Sequence, residues 1–148
     1  MTPDEVQAFL ETERVIVCAT NGPNDFPHLM PLWYVVREGE VWAWTFAKSQ
    51  KVRNLERDDR ATLQVETGES YDQLRGVMIE ARTRVVRDVE DVAAVGQDIF
   101  RRYAGDSDGE IGPEVVQMVR AQAPKRVALH FVPERTATWD HRKLGGVY

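Results

Sequence analysis

The segment Glu40–Phe46 constrains the fold more than any other, because it reads as a β-strand with two apolar faces. Alternate residues of an extended chain point to opposite sides. One face therefore carries three aromatic rings and the other three smaller side chains: Trp42, Trp44 and Phe46 against Val41, Ala43 and Thr45. A strand of this kind belongs inside a sheet that is covered on both sides. The sequence thus predicts a layered protein with packing on each face of its sheet.

Five other segments have the β-branched or alternating pattern of strands. They are residues 14–20, 29–37, 60–66, 76–87 and 126–132, with residues 136–140 extending the last of them. Helices are predicted after the capping box of Thr2 and Glu5, over residues 48–58, after Asp88 and from Pro113. This order predicts a single α+β domain over residues 1–148, with six antiparallel strands forming a small barrel and short flanking helices. Pro31 interrupts the second strand, which places it at a sheet edge or a bulge.

Charge and composition exclude several function classes. The 148 residues carry 19 basic and 24 acidic side chains, and a net charge of −5 argues against nucleic acid or an anionic membrane as a partner. No apolar run is long enough to span a membrane, and the N-terminus lacks a secretory signal. The single cysteine, Cys18, permits no intrachain disulfide, so we expect a cytoplasmic protein.

The usual catalytic constellations are absent from the sequence. The three histidines, His28, His130 and His141, have no metal-ligand spacing, so no metal site is predicted. No serine or cysteine lies in a nucleophile elbow, and no glycine-rich phosphate loop is present. We therefore name no catalytic residue.

The predicted helix over residues 48–58 begins with an unusual pair of lysines. Lysine in a first helical turn opposes the helix dipole unless an anion is bound there. Lys48, Ser49 and Lys51 would surround the free N–H groups of this turn, and Asn54 lies one turn later. The residues alone leave two interpretations open, an anion site and a solvated basic helix. The aromatic rings before this helix, Trp33, Tyr34, Trp42, Trp44 and Phe46, also allow more than one interpretation. They can belong to the core, to a subunit interface or to the wall of a pocket for a planar ligand.

Two segments carry a likeness to a known family: residues 27–34 (PHLMPLWY) and residues 47–55 (AKSQKVRNL). With residues 57–60 and the later segments 71–77 and 139–145, they resemble the split-barrel flavin and deazaflavin oxidoreductases, the coenzyme F420 branch of the pyridoxamine-phosphate-oxidase-like superfamily. The resemblance implies a six-stranded split β-barrel of the FMN-binding type. It also implies a homodimer, with the cofactor in a groove between the subunits.

The resemblance also implies which residues bind the cofactor. Lys51 and Asn54 match the phosphate-binding motif, and Ser49 and Gln50 match the residues that lead into it. Some relatives have arginine where this chain has Ser49, and Lys48 can take that role. Met30, Pro31 and Leu32 match the strand that borders the ring system of the cofactor. Tyr71 and Trp139 are weaker candidates for cofactor binding.

The implied activity is F420-dependent hydride transfer to an unsaturated small molecule. FMN-dependent oxidase or reductase activity on the same fold is one alternative to it. A non-catalytic protein that binds deazaflavin or another planar ligand is the other.

Overall fold

The structure is a computed structural model that describes residues 1–145. Its seven strands are β1 (Ile16–Asn21), β2 (Pro27–Leu32), β3 (Tyr34–Arg37), β4 (Glu40–Phe46), β5 (Arg60–Thr67), β6 (Arg75–Val86) and β7 (Arg126–Asp140). Its four α-helices are α1 (Pro3–Thr12), α2 (Gln50–Arg57), α3 (Val89–Ala104) and α4 (Pro113–Gln122). Three short 3-10 turns complete the chain at Tyr71–Gln73, Ala123–Lys125 and His141–Leu144.

The strands form one antiparallel sheet in the order β2-β1-β5-β6-β7-β4-β3, which curls into a split barrel. The predicted α+β class and antiparallel barrel are confirmed, but the sheet has seven strands instead of six. The predicted strand over residues 29–37 is divided at Trp33, because the chain changes its pairing partner there. Residues before Trp33 pair with β1, and residues after it pair with β4.

Two other strand predictions have clear outcomes. Pro31 lies in β2, which is an edge strand of the sheet and pairs on one side only, so the missing N–H of proline is tolerated. Residues 126–132 and 136–140 belong to one continuous strand, β7. This strand passes a register shift opposite Glu80 and Ala81, where a bulge lets it follow the curl of the barrel.

Both faces of β4 are covered, as its sequence predicts. The inner face contributes Val41 and Ala43 to the core of the barrel. On the outer face, Trp42 and Trp44 pack against a second core formed mainly by α3. Trp44 lies so close to Gly96 that a Cβ atom at position 96 would be 2.6 Å from its ring. Phe46 departs from the pattern because it ends the strand with 56% of its surface exposed.

Local signals set the ends of the helices. Thr2 and Glu5 form the predicted capping box of α1, and the Asp88 side chain accepts from two N–H groups at the start of α3. In α2, Val52 and Leu55 are buried on the inward side, as their spacing predicts. This helix begins just after β4 and ends just before β5, so it covers one end of the barrel.

Candidate functional site

Buried polar side chains in the described chain are concentrated at the end of the barrel that α2 covers. Five residues have this character: Thr20, Thr45, Lys51, Asn54 and Thr83. Two belong to α2, and two are strand threonines that bond to them directly. The fifth, Thr83, donates its N–H to the carbonyl of Asp59, two residues after α2 ends. A polar interior here needs a reason, because burying polar groups costs free energy.

Lys51 is a lysine with only 7% of its surface exposed. Its Nζ donates to Thr45 Oγ1 at 3.0 Å, and no carboxylate of residues 1–145 forms an ion pair with it. Burial lowers the pKa of this ammonium group, since the charged form is poorly solvated. Burial likewise raises the pKa of the neighbouring Cys18 thiol to about 12. A cation held without a counter-ion suits the binding of an anion.

Asn54, which is fully buried, ties α2 to the first strand. Its Nδ2 donates to Thr20 Oγ1 at 3.0 Å, and its Oδ1 accepts from Gln50 Nε2 at 2.8 Å and from Arg57 at 3.4 Å. These bonds fix the face of α2 that also carries Lys51. Gln50 is thereby occupied within the helix in this structure.

Ser49 is the N-cap residue of α2, but its hydroxyl does not cap the helix. Its Oγ is buried and has no hydrogen-bond partner within residues 1–145. The first turn of α2 contains no acidic residue, so its free N–H groups and dipole face no negative charge of their own. An unpaired hydroxyl, a buried cation and a free helix N-terminus together fit the phosphate group of a cofactor. Lys48 was predicted to lie in this turn, but the helix begins at Gln50 after the N-cap Ser49, so Lys48 lies before the helix and is exposed.

The three strand candidates, Met30, Pro31 and Leu32, lie at the edge of the barrel next to this site. Met30 pairs with Cys18, whose thiol is close enough to Lys51 to affect its pKa. Leu32 is partly buried against the core, whereas Met30 and Pro31 are exposed. Since β2 pairs only with β1, its second edge is unpaired within the described chain.

Tyr71 and Trp139 lie at the opposite end of the barrel. Trp139 pairs with Gly76 across β6 and β7, and it is twelve residues beyond Val127, which pairs with Thr45 near Lys51. At about 3.3 Å per residue this is roughly 40 Å of strand. The His141 ring nitrogen bonds to the carbonyl of Tyr71, so both residues belong to that distant end. One chain does not bring them to α2.

The C-terminal end of α2 borders a cavity of about 700 Å³. Its lining is polar and includes Asn21, Arg57, Asp58 and Arg60. Arg60 and Asn21 hold the pKa of the Asp58 carboxyl well below its usual range through hydrogen bonds. This cavity is separate from the N-terminal turn that carries Ser49.

Sequence reasoning missed Thr20 and Thr45, the two hydroxyl partners at this end of the barrel. The available signal was a hydroxyl at an inward position of an otherwise apolar strand face. Residues 1–145 contain no cluster of three histidine, cysteine, aspartate or glutamate side chains that could hold a metal ion. Over the same residues, no helix combines the length and apolar character needed to cross a membrane.

The chain is similar to known proteins over nearly its whole length. The sequence profile of the pyridoxamine 5'-phosphate oxidase family matches residues 2–140. The conserved hypothetical protein Rv2991 from Mycobacterium tuberculosis is 40% identical, with a TM-score of 0.90, and the match covers 100% of this chain and 90% of that one. No curated protein matches.

Two more distant structures share the fold. An F420 reductase has a TM-score of 0.67 at 19% identity, over 88% of this chain and 94% of that one. An FAD-binding protein from Mesorhizobium loti has a TM-score of 0.68 at 16% identity, over 93% of this chain and 94% of that one. From the profile match and the shared curled sheet, the chain belongs to the pyridoxamine 5'-phosphate oxidase family of split-barrel proteins.

Proposed function

We propose that this protein is a coenzyme F420-dependent oxidoreductase that acts on an unsaturated small molecule. The observation that carries the proposal is the N-terminal turn of α2, where the buried Lys51 ammonium and the unpaired Ser49 hydroxyl lie without an anion of their own. Membership of the pyridoxamine 5'-phosphate oxidase family supports a cofactor phosphate as that anion. A fold neighbour that is named F420 reductase supports the choice of deazaflavin.

The residues of this chain bind and orient the cofactor. Lys51 and Ser49 hold the phosphate, with Lys48 adding charge from the surface, and Asn54 fixes the helix face through Thr20. The β2 residues 30–32 border the ring system along the unpaired strand edge. When bound, the reduced deazaflavin supplies the hydride. The protein contributes binding, orientation and exclusion of water.

A homodimer is part of the proposal. The edge strand and its turn expose apolar side chains, with Phe26 78% and Leu29 56% exposed, beside the open side of the site. Large apolar side chains exposed within one short segment are typical of protein interfaces. Tyr71 and Trp139 lie at the far end of the same barrel, so in this proposal they join the site from the partner subunit. The cytoplasmic location expected from the sequence stays a prediction.

Two of the three arginines that could bind a cofactor tail, Arg57 and Arg142, favour a second candidate, FMN-dependent oxidase or reductase activity. F420 carries an anionic tail that needs additional cations, whereas FMN does not. Arg57 already donates to the carbonyl of Asn21, and Arg142 is paired with Asp140 at the opposite end of the barrel. The third, Arg53 in α2, is exposed and forms no ion pair within residues 1–145, which keeps F420 as the first candidate.

Titration of the purified protein with F420 and with FMN, followed by fluorescence quenching, tests these candidates. Binding of F420 at micromolar concentration without FMN binding supports the proposal, and tight binding of FMN alone refutes it. Anaerobic incubation of the complex with reduced F420 and unsaturated substrates then distinguishes an enzyme from a non-catalytic carrier. Persistent failure to oxidise the reduced cofactor would favour the carrier.

A further inference from the structure

His28 has an unexplained buried polar atom close to the α2 site. Its Nδ1 is buried and has no hydrogen-bond partner within residues 1–145. The second ring nitrogen, Nε2, is not among the buried unpaired atoms, and the described chain supplies no partner for it. Nε2 therefore reaches the surface. Unsatisfied buried polar atoms are rare in folded proteins and often mark a function.

The strand register places His28 beside the buried polar cluster. His28 pairs with Thr20, and residues directly opposite each other in an antiparallel pair point to the same side of the sheet. The Thr20 hydroxyl accepts from Asn54, so the imidazole lies on the side of the sheet that faces α2. A Cβ atom at Gly22 would be 3.9 Å from the His28 Cβ, which places His28 at the base of the turn between β1 and β2.

The same register separates the residues of β2 into two sets. His28, Met30 and Leu32 lie opposite Thr20, Cys18 and Ile16, whose side chains point into the barrel. Pro31, between them, points the other way. The face of β2 that borders Lys51 and Asn54 therefore contains one polar side chain, and that side chain is His28.

The ring chemistry specifies what His28 can do. A neutral imidazole carries one N–H and one acceptor nitrogen. Nδ1 has no hydrogen-bond partner within residues 1–145, so the tautomer with its proton on Nε2 leaves Nδ1 as a buried acceptor and not as a buried N–H donor. That tautomer presents an N–H at the surface, on the side of the sheet where Thr20 bonds to Asn54 of α2.

We propose that His28 is a further ligand-binding residue of this site, whose Nε2–H donates to an acceptor oxygen of the bound ligand. The identity of that ligand rests on the proposed function. The acceptor is either a phosphate oxygen or a ring carbonyl of the cofactor, which share this chemistry. Loss of one such hydrogen bond weakens binding about tenfold.

Two variants and one spectroscopic measurement test the proposal. His28→Ala is expected to raise the Kd of the bound cofactor about tenfold, and His28→Gln, which keeps an N–H near the position of Nε2, is expected to restore most of the affinity. Unfolding curves confirm that both variants fold. An unchanged Kd in His28→Ala overturns the proposal.

Imidazole NMR follows the ring signals of the wild-type protein directly. The signal that is missing from the His28→Gln spectrum is assigned to His28. A shift of this signal with inorganic phosphate identifies a phosphate oxygen as the acceptor. A shift only with the whole cofactor identifies a ring carbonyl. If neither F420 nor FMN binds, the proposed function fails. The His28 signal with inorganic phosphate then shows whether His28 binds an anion at this site. The absence of a shift with every ligand tested overturns it.

Discussion

Replacement of Lys51 by methionine should separate the binding role of this residue from its structural role. Methionine keeps most of the side-chain volume and the packing of the aliphatic stem, but it removes the charge and the hydrogen bond to Thr45 Oγ1. A charge-assisted bond to phosphate contributes about 1.5–3 kcal/mol. The Kd of the cofactor should therefore rise about tenfold to 150-fold.

The stability of the unliganded protein should respond differently. The lowered pKa of Lys51 shows that burial disfavours its charged form, so removal of the charge relieves a cost. The Thr45 hydroxyl loses its donor, which costs about 1 kcal/mol. The two effects oppose each other, and the free energy of unfolding should stay within about 1 kcal/mol of the wild-type value. Tm should then move by no more than about 3 °C.

The pH dependence provides a second readout. In the unliganded protein the pKa of Lys51 lies below 10.5, the value of a solvated lysine. A bound anion favours the charged form, so affinity should fall as the pH rises through that lowered pKa. Between the folded and unfolded pKa values the unfolded chain binds more protons. The unliganded fold should therefore gain stability with rising pH in the same window, and Lys51→Met should lose both effects.

Arg120→Met is a matched control, because it removes an exposed cation from α4, away from α2. Isothermal titration calorimetry and urea unfolding give the required quantities. An unchanged Kd in Lys51→Met would remove this residue from the site. A loss of more than about 2 kcal/mol in unfolding free energy would instead make the lysine a structural residue.

Three further predictions concern the fold. Gly76→Ala should lower the free energy of unfolding in urea by about 2–3 kcal/mol, because the new Cβ would lie 2.2 Å from the ring of Trp139. Gly112→Ala, whose Cβ would lie in open space, should have little effect. Equal effects of the two changes would refute the close packing at Gly76. Arg102→Ala should cost about 3 kcal/mol, since its guanidinium donates to four backbone carbonyls that join the end of α1 and β3 to α3, and a loss below about 1 kcal/mol would contradict this. Cys18 should resist iodoacetamide at pH 8 in the native state and react after unfolding, because burial raises its pKa to about 12; rapid native labelling would disprove its burial.

Local patterns in the sequence predicted much of the framework. The capping box of Thr2 and Glu5, the caps and breakers of the later helices and the inward spacing of Val52 and Leu55 in α2 all appear in the structure. Pro31 predicted a sheet edge or a bulge, and it lies in an edge strand. These predictions held because capping, alternation and the missing N–H of proline act over a few neighbouring residues.

The division of residues 29–37 into two strands was not readable from the same patterns. Both halves have strand-like composition, and only their pairing partners differ. For the same reason, β7 appeared as two short segments, although its pairing with β6 continues through a bulge. Strand pairing is a contact between distant parts of the chain, which local propensity does not report.

The sequence by itself determined an antiparallel barrel, a helix beginning with basic residues after a two-faced strand, and a resemblance that selects a cofactor-binding family. Only the tertiary structure buried Lys51, left the Ser49 hydroxyl unpaired and placed His28 opposite Thr20. It also placed Trp139 at the far end of the barrel from α2. The reason is physical: burial, unpaired hydrogen-bonding groups and distances across a sheet depend on which strands become neighbours, and that is settled when the chain packs.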